Sequence, residues 1–113
     1  MTDYTQKYYQ PSTPRQDLEQ QPNLKAQNLK EMQTNFLLDK LQEESAEVIQ
    51  AISKIRRFGK DNQHPDRNTT NYEELVQELE DFLAIVAGLE ACKYLDLTKS
   101  QQTIYNKMQN LVQ

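Results

Sequence analysis

The sequence predicts an all-α protein, arranged as an antiparallel helical bundle that self-association completes. Three observations carry this reading. Only 2 of the 113 residues are glycine and none is tryptophan, while Gln, Glu, Leu and Lys abound and β-branched runs are scarce, a composition that favours helix. Apolar residues recur at helical spacing over long stretches, and polar segments carrying proline or glycine divide those stretches. A chain of this length has room for one domain, and a unit of three or four helices is marginal in burying its own apolar faces, so association with further copies is expected.

Residues 1–22 read as a flexible tail, rich in Gln, Thr and Tyr and broken by Pro11, Pro14 and Pro22, with little periodic apolar surface. Its tyrosines, Tyr4, Tyr8 and Tyr9, carry no recognisable chemistry. Residues 23–113 read as a single helical domain. From Leu24 the series Leu29, Met32, Phe36, Leu37, Leu41, Val48, Ile52 and Ile55 keeps helical spacing. Thr34-Asn35 offers a boundary or a bend, since both residues favour caps, but one continuous rod fits the pattern as well. Phe58-Gly59 should end this helix, because glycine adopts the left-handed cap conformation.

Lys60 to Asn71, with Pro65 and a polar run, reads as a connecting loop. Asn71 followed by Glu74 is a fair N-cap pairing for the next helix, whose apolar side is Tyr72, Leu75, Leu79, Phe82, Val86 and Leu89 and which should reach about Tyr94. Thr98 with Gln101 then starts a last helix carrying Ile104, Tyr105, Met108, Leu111 and Val112.

The chemistry lies in two acidic signatures, Glu43-Glu44-Ser45-Ala46-Glu47 and Glu78-Leu79-Glu80-Asp81. With Glu44 at zero on a helical wheel, Leu37, Leu41, Val48, Ile52 and Ile55 fall between about 20° and 80°, and Glu47 at about −60°. With Glu78 at zero, Leu75, Phe82, Val86 and Leu89 take the same sector and Asp81 again lies near −60°. Each helix thus sets one carboxylate at the edge of its core face and a second one turn further on, the layout of two helices that jointly line a groove. Unneutralised carboxylates at about 4 Å repel by roughly 4 kcal/mol at an effective dielectric of 20, so Glu44, Glu47, Glu78 and Asp81 together call for a cation. Mg²⁺, which takes oxygen ligands and joins proteins to phosphates, is the natural ion. Glu43, about 40° from Glu47 on the wheel, is an outer ligand, a general base or an exposed residue.

Lys40, one turn before Glu44, and Lys54, two turns beyond Glu47, can reach a phosphate on this side, Lys54 being the first choice. Arg56, Arg57 and Lys60 either do the same or complement the C-terminal dipole of their helix. The net charge of −4 speaks against a nucleic-acid surface, which needs clustered Lys and Arg. No apolar run approaches the roughly twenty residues that cross a bilayer. The lone Cys92 and the lack of a signal-peptide pattern lead us to expect a reducing cytoplasm. A di-iron bundle would need Glu-x-x-His pairs, which the sequence lacks, and His64 falls in the polar loop.

Glu43-Glu44-x-x-Glu47 followed by Glu78-x-x-Asp81 resembles the EExxE…ExxD mark of the all-α nucleoside triphosphate pyrophosphohydrolases, in particular the MazG-like branch. The stretches Lys54-Ile55-Arg56-Arg57-Phe58-Gly59 and Phe82-Leu83-Ala84-Ile85-Val86 are similar to short MazG-like members, and the resemblance spans roughly residues 36–89. Glu80 departs from it, since the family often has a small residue there, and so does the long loop between the motifs. The resemblance implies hydrolysis of a (deoxy)nucleoside triphosphate to the monophosphate and pyrophosphate. It further implies that Glu44, Glu47, Glu78 and Asp81 hold Mg²⁺, with Mn²⁺ as the alternative. Glu47 or Glu43 would take the proton of water. Lys54 and Arg57 would bind the outgoing pyrophosphate charge in an enzyme of nucleotide-pool housekeeping; Lys40, from its place on the helix, is a further substrate-binding candidate, and a homodimer or homotetramer is expected. The competing reading is a non-catalytic helical binding or regulatory protein with an acidic groove.

Overall fold

The computed structural model describes residues 22–113 and comprises three helices, α1 (Pro22–Phe58), α2 (Asn71–Ala91) and α3 (Gln101–Leu111). The expected tail and its tyrosines lie outside the described residues, except for Pro22, which opens α1. Within the described residues the only β-type pairing is an isolated bridge between Gln63 and Thr70.

Of the two readings at Thr34-Asn35, the continuous rod is the one observed, with α1 running 37 residues without interruption. Thr34 is buried and, with Asn35, faces a cavity closed by Cys92, Lys93 and Tyr94 beyond the end of α2. Cap propensity is a weak preference, and the helix runs through both residues. The stop of α1 is where it was expected. Gly59 takes φ +95° and its N–H donates to the Ile55 carbonyl at 2.8 Å, the left-handed ending that a Cβ would strain.

The start of α2 differs from expectation by one residue, and the difference matters for the site. Thr70, not Asn71, is the N-cap. Its hydroxyl accepts from the Glu73 N–H at 3.1 Å, and the Glu73 carboxylate accepts from the Thr70 N–H at 3.3 Å, a complete capping box. Asn71 instead donates its side-chain amide to the Gly59 carbonyl at 2.9 Å, tying the start of α2 to the end of α1. Two backbone bonds, from the Asn71 N–H to Asn62 O and from the Tyr72 N–H to Lys60 O, fold the loop back on that joint. Glu74, released from capping, turns inward and is buried.

The other end of α2 also departs from the reading. The helix stops at Ala91, short of Tyr94. Lys93 takes φ +61°, and N–H groups of Lys93 and Tyr94 donate back to Glu90 O and Leu89 O, the double bond pattern of a Schellman ending. Ser100, not Thr98, precedes α3, because Thr98 commits its hydroxyl and its N–H to the Asp96 carboxylate at 2.6 and 2.9 Å.

α1 and α2 form an antiparallel hairpin, as the pairings of Lys54 with Glu74 and of Leu37 with Gly88 require. Leu89 and Ala51 are its buried apolar centre. Leu37, Leu41, Val48 and Ile55 meet Leu75, Phe82 and Val86 as a half-buried seam, the sector that the helical wheels assign to the core. Ile52, Tyr72 and Leu79, read as part of that face, are exposed, as are Leu29, Met32 and Phe36 in the N-terminal half of α1. At about 1.5 Å per residue α1 is far longer than the 21-residue α2 can cover. α3 stands apart from the hairpin, with every residue exposed.

Candidate active site

The hairpin brings three of the sequence-designated carboxylates together. Glu44 and Glu47 come from consecutive turns of α1, and Glu78 projects from α2 opposite them. One carboxylate oxygen from each lies within 4.8 Å of the others. Glu44 and Glu78 are half-buried, and one oxygen of each is sealed from solvent with no hydrogen-bond partner. A buried carboxylate oxygen without a donor carries the full cost of desolvation, about 1–3 kcal/mol or more for a charged group. A positive centre relieves it. Three carboxylates each offering a hard oxygen, two of them also carrying an orphaned oxygen, are the donor set that suits a divalent cation such as Mg²⁺, Mn²⁺ or Ca²⁺. The residues present therefore fit the ion that the composition of the motifs called for.

Glu78 registers the crowding. Burial first, then the neighbouring carboxylates of Glu47 and Glu44, push its pKa up from an ordinary 4.5 to about 7. Near neutral pH it sits at the balance between a protonated form, able to donate a hydrogen bond to its neighbours, and an ionised form ready to take a cation.

Asp81 is on α2 one turn beyond Glu78 but is exposed and lies outside the three-carboxylate cluster. Glu43 is turned away. Its carboxylate pairs with Lys40 at 3.2 Å, both side chains well exposed, and the Lys40 ammonium also lies 5.7 Å from the Phe36 ring centre. Arg57 stacks its guanidinium at 5.4 Å over Phe58. Lys60 lies over Tyr72 at 4.9 Å. His64 is exposed in the loop, its Nδ1 accepting from the Asp66 N–H at 3.1 Å.

Lys54 is the designated cation that shares a cleft with members of the cluster. It lines a cleft of about 180 Å³ together with Glu47, Glu78, Glu74 and Arg67. Sequence reading missed the last two. Glu74 accepts from the Arg67 guanidinium at 2.7 Å on one oxygen and from the Lys54 ammonium at 3.3 Å on the other. Burial works to raise the Glu74 pKa, but the hydrogen bonds and charges of Arg67 and Lys54 outweigh it and hold the carboxyl below its usual range. The one available signal was spacing. Glu74 precedes Glu78 by four residues and so shares its face of α2.

A larger cavity of about 530 Å³ lies at the other end of the hairpin, between α1 and the residues that follow α2. Size alone would favour it, but no carboxylates converge there, and the chemistry decides for the smaller cleft.

Among protein families, the model described as MazG nucleotide pyrophosphohydrolase domain matches residues 32–111, which take in both acidic motifs, the loop between them and α3. Comparison with curated proteins and with solved structures returned no match.

Proposed function

The chain belongs to the MazG nucleotide pyrophosphohydrolase family, whose model covers it over residues 32–111, and we propose that it hydrolyses a nucleoside triphosphate, or its deoxy form, between the α and β phosphates. The products are the monophosphate and pyrophosphate. One observation carries this reading beyond the family: the oxygens of Glu44, Glu47 and Glu78 converge within 4.8 Å, with buried, unpartnered oxygens on two of them.

Glu44, Glu47 and Glu78 are the ligands for Mg²⁺ in this proposal, with Mn²⁺ the alternative and Asp81 a further carboxylate on the same helix. The bound ion supplies Lewis acidity and offsets phosphate charge. The chain's own residues do the rest. Glu47 is more exposed than Glu44 and borders the cleft, which supports it as the carboxylate that takes a proton from the attacking water at the α phosphorus. Glu43 is the weaker choice, since Lys40 engages it away from the cleft. Lys54 lies where the departing pyrophosphate accumulates charge, and its ammonium stabilises that charge as it develops. Arg57 and Lys40 line no part of this cleft, and a substrate role for either belongs to an assembled form.

The uncovered faces of α1 and α3 support assembly into a homodimer or homotetramer. Among the described residues no helix is long and apolar enough to cross a membrane. With the single free thiol of Cys92, this suits a cytoplasmic nucleotide-pool enzyme.

The test is pyrophosphate release from a panel of ordinary and damaged nucleoside triphosphates, with Mg²⁺ and with chelator. Wild type should turn over at least one of them only when the metal is present. Glu47→Gln should keep the fold and the assembly while losing about 100-fold or more in kcat. Intact substrates across the whole panel would leave the binding-protein reading in its place.

A further inference from the structure

Glu74 sits at the centre of a second polar constellation that the acidic motifs do not account for. A salt bridge that merely staples a loop to a helix needs one cation. Glu74 has two, one on each oxygen, with Arg67 donated by the loop and Lys54 by α1. The carboxylate is only 9% exposed, whereas the Lys54 and Arg67 side chains remain 38% and 60% exposed. Glu74 thus spends its charge on holding two cationic heads whose remaining N–H groups stay open. Those heads line the same cleft as Glu47 and Glu78, and the trio carries a net positive charge beside the acidic cluster.

The register is fixed by the helices. Glu74 stands one turn, about 6 Å, from Glu78 along α2, and Lys54 stands two turns, about 10 Å, from Glu47 along α1. The cleft, at about 180 Å³, is below the 300–1,000 Å³ typical of pockets for drug-sized ligands. That size is nearer to a phosphate chain than to a whole nucleotide. Arg67 brings a planar fork that matches phosphate oxygens in pairs, and Lys54 a compact point charge.

We propose that Arg67 and Lys54 form the seat for the β and γ phosphates, and that Glu74 is the positioning residue that aims both at the acidic cluster. This rests on the hydrolase reading for its substrate and adds to it two residues, Arg67 and Glu74. Arg67 binds the tail directly. Glu74 acts through the two cations and touches no reacting atom.

The probe is inorganic pyrophosphate with Mg²⁺, its binding measured by calorimetry, alongside steady-state kinetics on a nucleoside triphosphate that wild type hydrolyses. Arg67→Ala and Glu74→Gln should each weaken pyrophosphate binding by about tenfold or more, the loss expected for a charge-assisted hydrogen bond. Each should raise KM by more than it lowers kcat. Lys99→Ala, an exposed lysine outside the cleft, matches the charge change of Arg67→Ala and should leave binding as in wild type. Folded Arg67→Ala with wild-type pyrophosphate affinity and KM overturns the seat. Tighter binding by Glu74→Gln would show that Glu74 competes for the cations and overturns its positioning role. Should Glu74→Gln fail to fold, Arg67→Ala decides, since its side chain lies on the exposed loop. The two proposals fail separately. Arg67-dependent pyrophosphate binding without turnover of any nucleotide sinks the hydrolase and keeps the seat, while turnover indifferent to Arg67 does the reverse.

Discussion

At the scale of single residues, the pKa of Glu78 turns the site into a measurable pH dependence. Its carboxyl is raised from 4.5 to about 7 by burial and by Glu47 and Glu44. Between those values the folded chain holds a proton that the unfolded chain has released. The contribution of this group to stability is therefore complete below about pH 4.5 and is lost as the pH rises through about 7. Glu74 runs the other way. Its carboxyl is held below the usual range, so its contribution is lost only on acidification, outside the Glu78 window. Metal-free protein should accordingly melt at a lower temperature at pH 8 than at pH 5.5. Glu78→Gln should flatten that slope, and MgCl₂ at pH 8 should raise the wild-type Tm more than that of the variant. A wild-type Tm that does not vary between these pH values would contradict the crowded cluster. Glu44, Glu47 and Glu78 were legible in the sequence because angular position around a helix follows from residue number alone. The separation of Asp81 from the cluster was not, since it depends on how two antiparallel helices slide past each other, and neither pattern records that register. Arg67 was hidden for a related reason. Its reach to Glu74 depends on the path of a loop held by backbone bonds that residue type does not announce, such as those from the Asn71 and Tyr72 N–H groups.

At the scale of elements, the helices themselves could be read and their ends were displaced by competition for the same polar groups. Two residues were each able to cap α2. Thr70 took the role while the amide of Asn71 went to the Gly59 carbonyl just past α1. That one-residue shift is what frees Glu74 for the cleft, so the capping box and the phosphate seat are parts of one local solution. At the other end, apolar periodicity ran on toward Tyr94, but Lys93 adopts φ +61° and ends α2. Nothing in a lysine announces this, since glycine is the usual occupant of that conformation. The left-handed region costs an L-residue roughly 1–2 kcal/mol, and glycine returns about 0.5–1 kcal/mol of that as chain entropy. Lys93→Gly should therefore stabilise the folded protein by about 0.5–1 kcal/mol, read as a higher denaturant midpoint at an unchanged m-value. A lower midpoint would mean that the lysine stem makes contacts worth more than the strain.

At the scale of the whole molecule, the described residues leave a large apolar surface open. Ile104, Tyr105 and Met108 of α3 are 55%, 53% and 41% exposed, and Leu29, Met32 and Phe36 in the N-terminal half of α1 are 54–59% exposed. An isolated helix of 11 residues is below the roughly 12–15 that hold together in water, so α3 draws its order from packing. Nothing among the described residues covers it. The hairpin is no better placed, with Ala51 and Leu89 as its buried apolar residues, where a domain of this size needs several kcal/mol of net stability. Each copy thus offers both an amphipathic helix and an uncovered helical face, and in the proposed assembly a second copy would satisfy both at once in the symmetric way that soluble oligomers favour. Light scattering at micromolar concentration should give a mass of two or four chains, and Tm should fall on dilution because assembly and stability are linked. The double substitution Ile104→Glu with Met108→Glu sets two charges on the apolar side of α3 and should shift the protein to smaller species with a Tm lower by about 5–10 °C, the scale of 1–2 kcal/mol in a domain of this length. A wild-type monomer whose Tm is the same across a hundredfold dilution would show that α3 and the N-terminal half of α1 find their cover within one chain, and the assembled-site role left open for Lys40 and Arg57 would go with it.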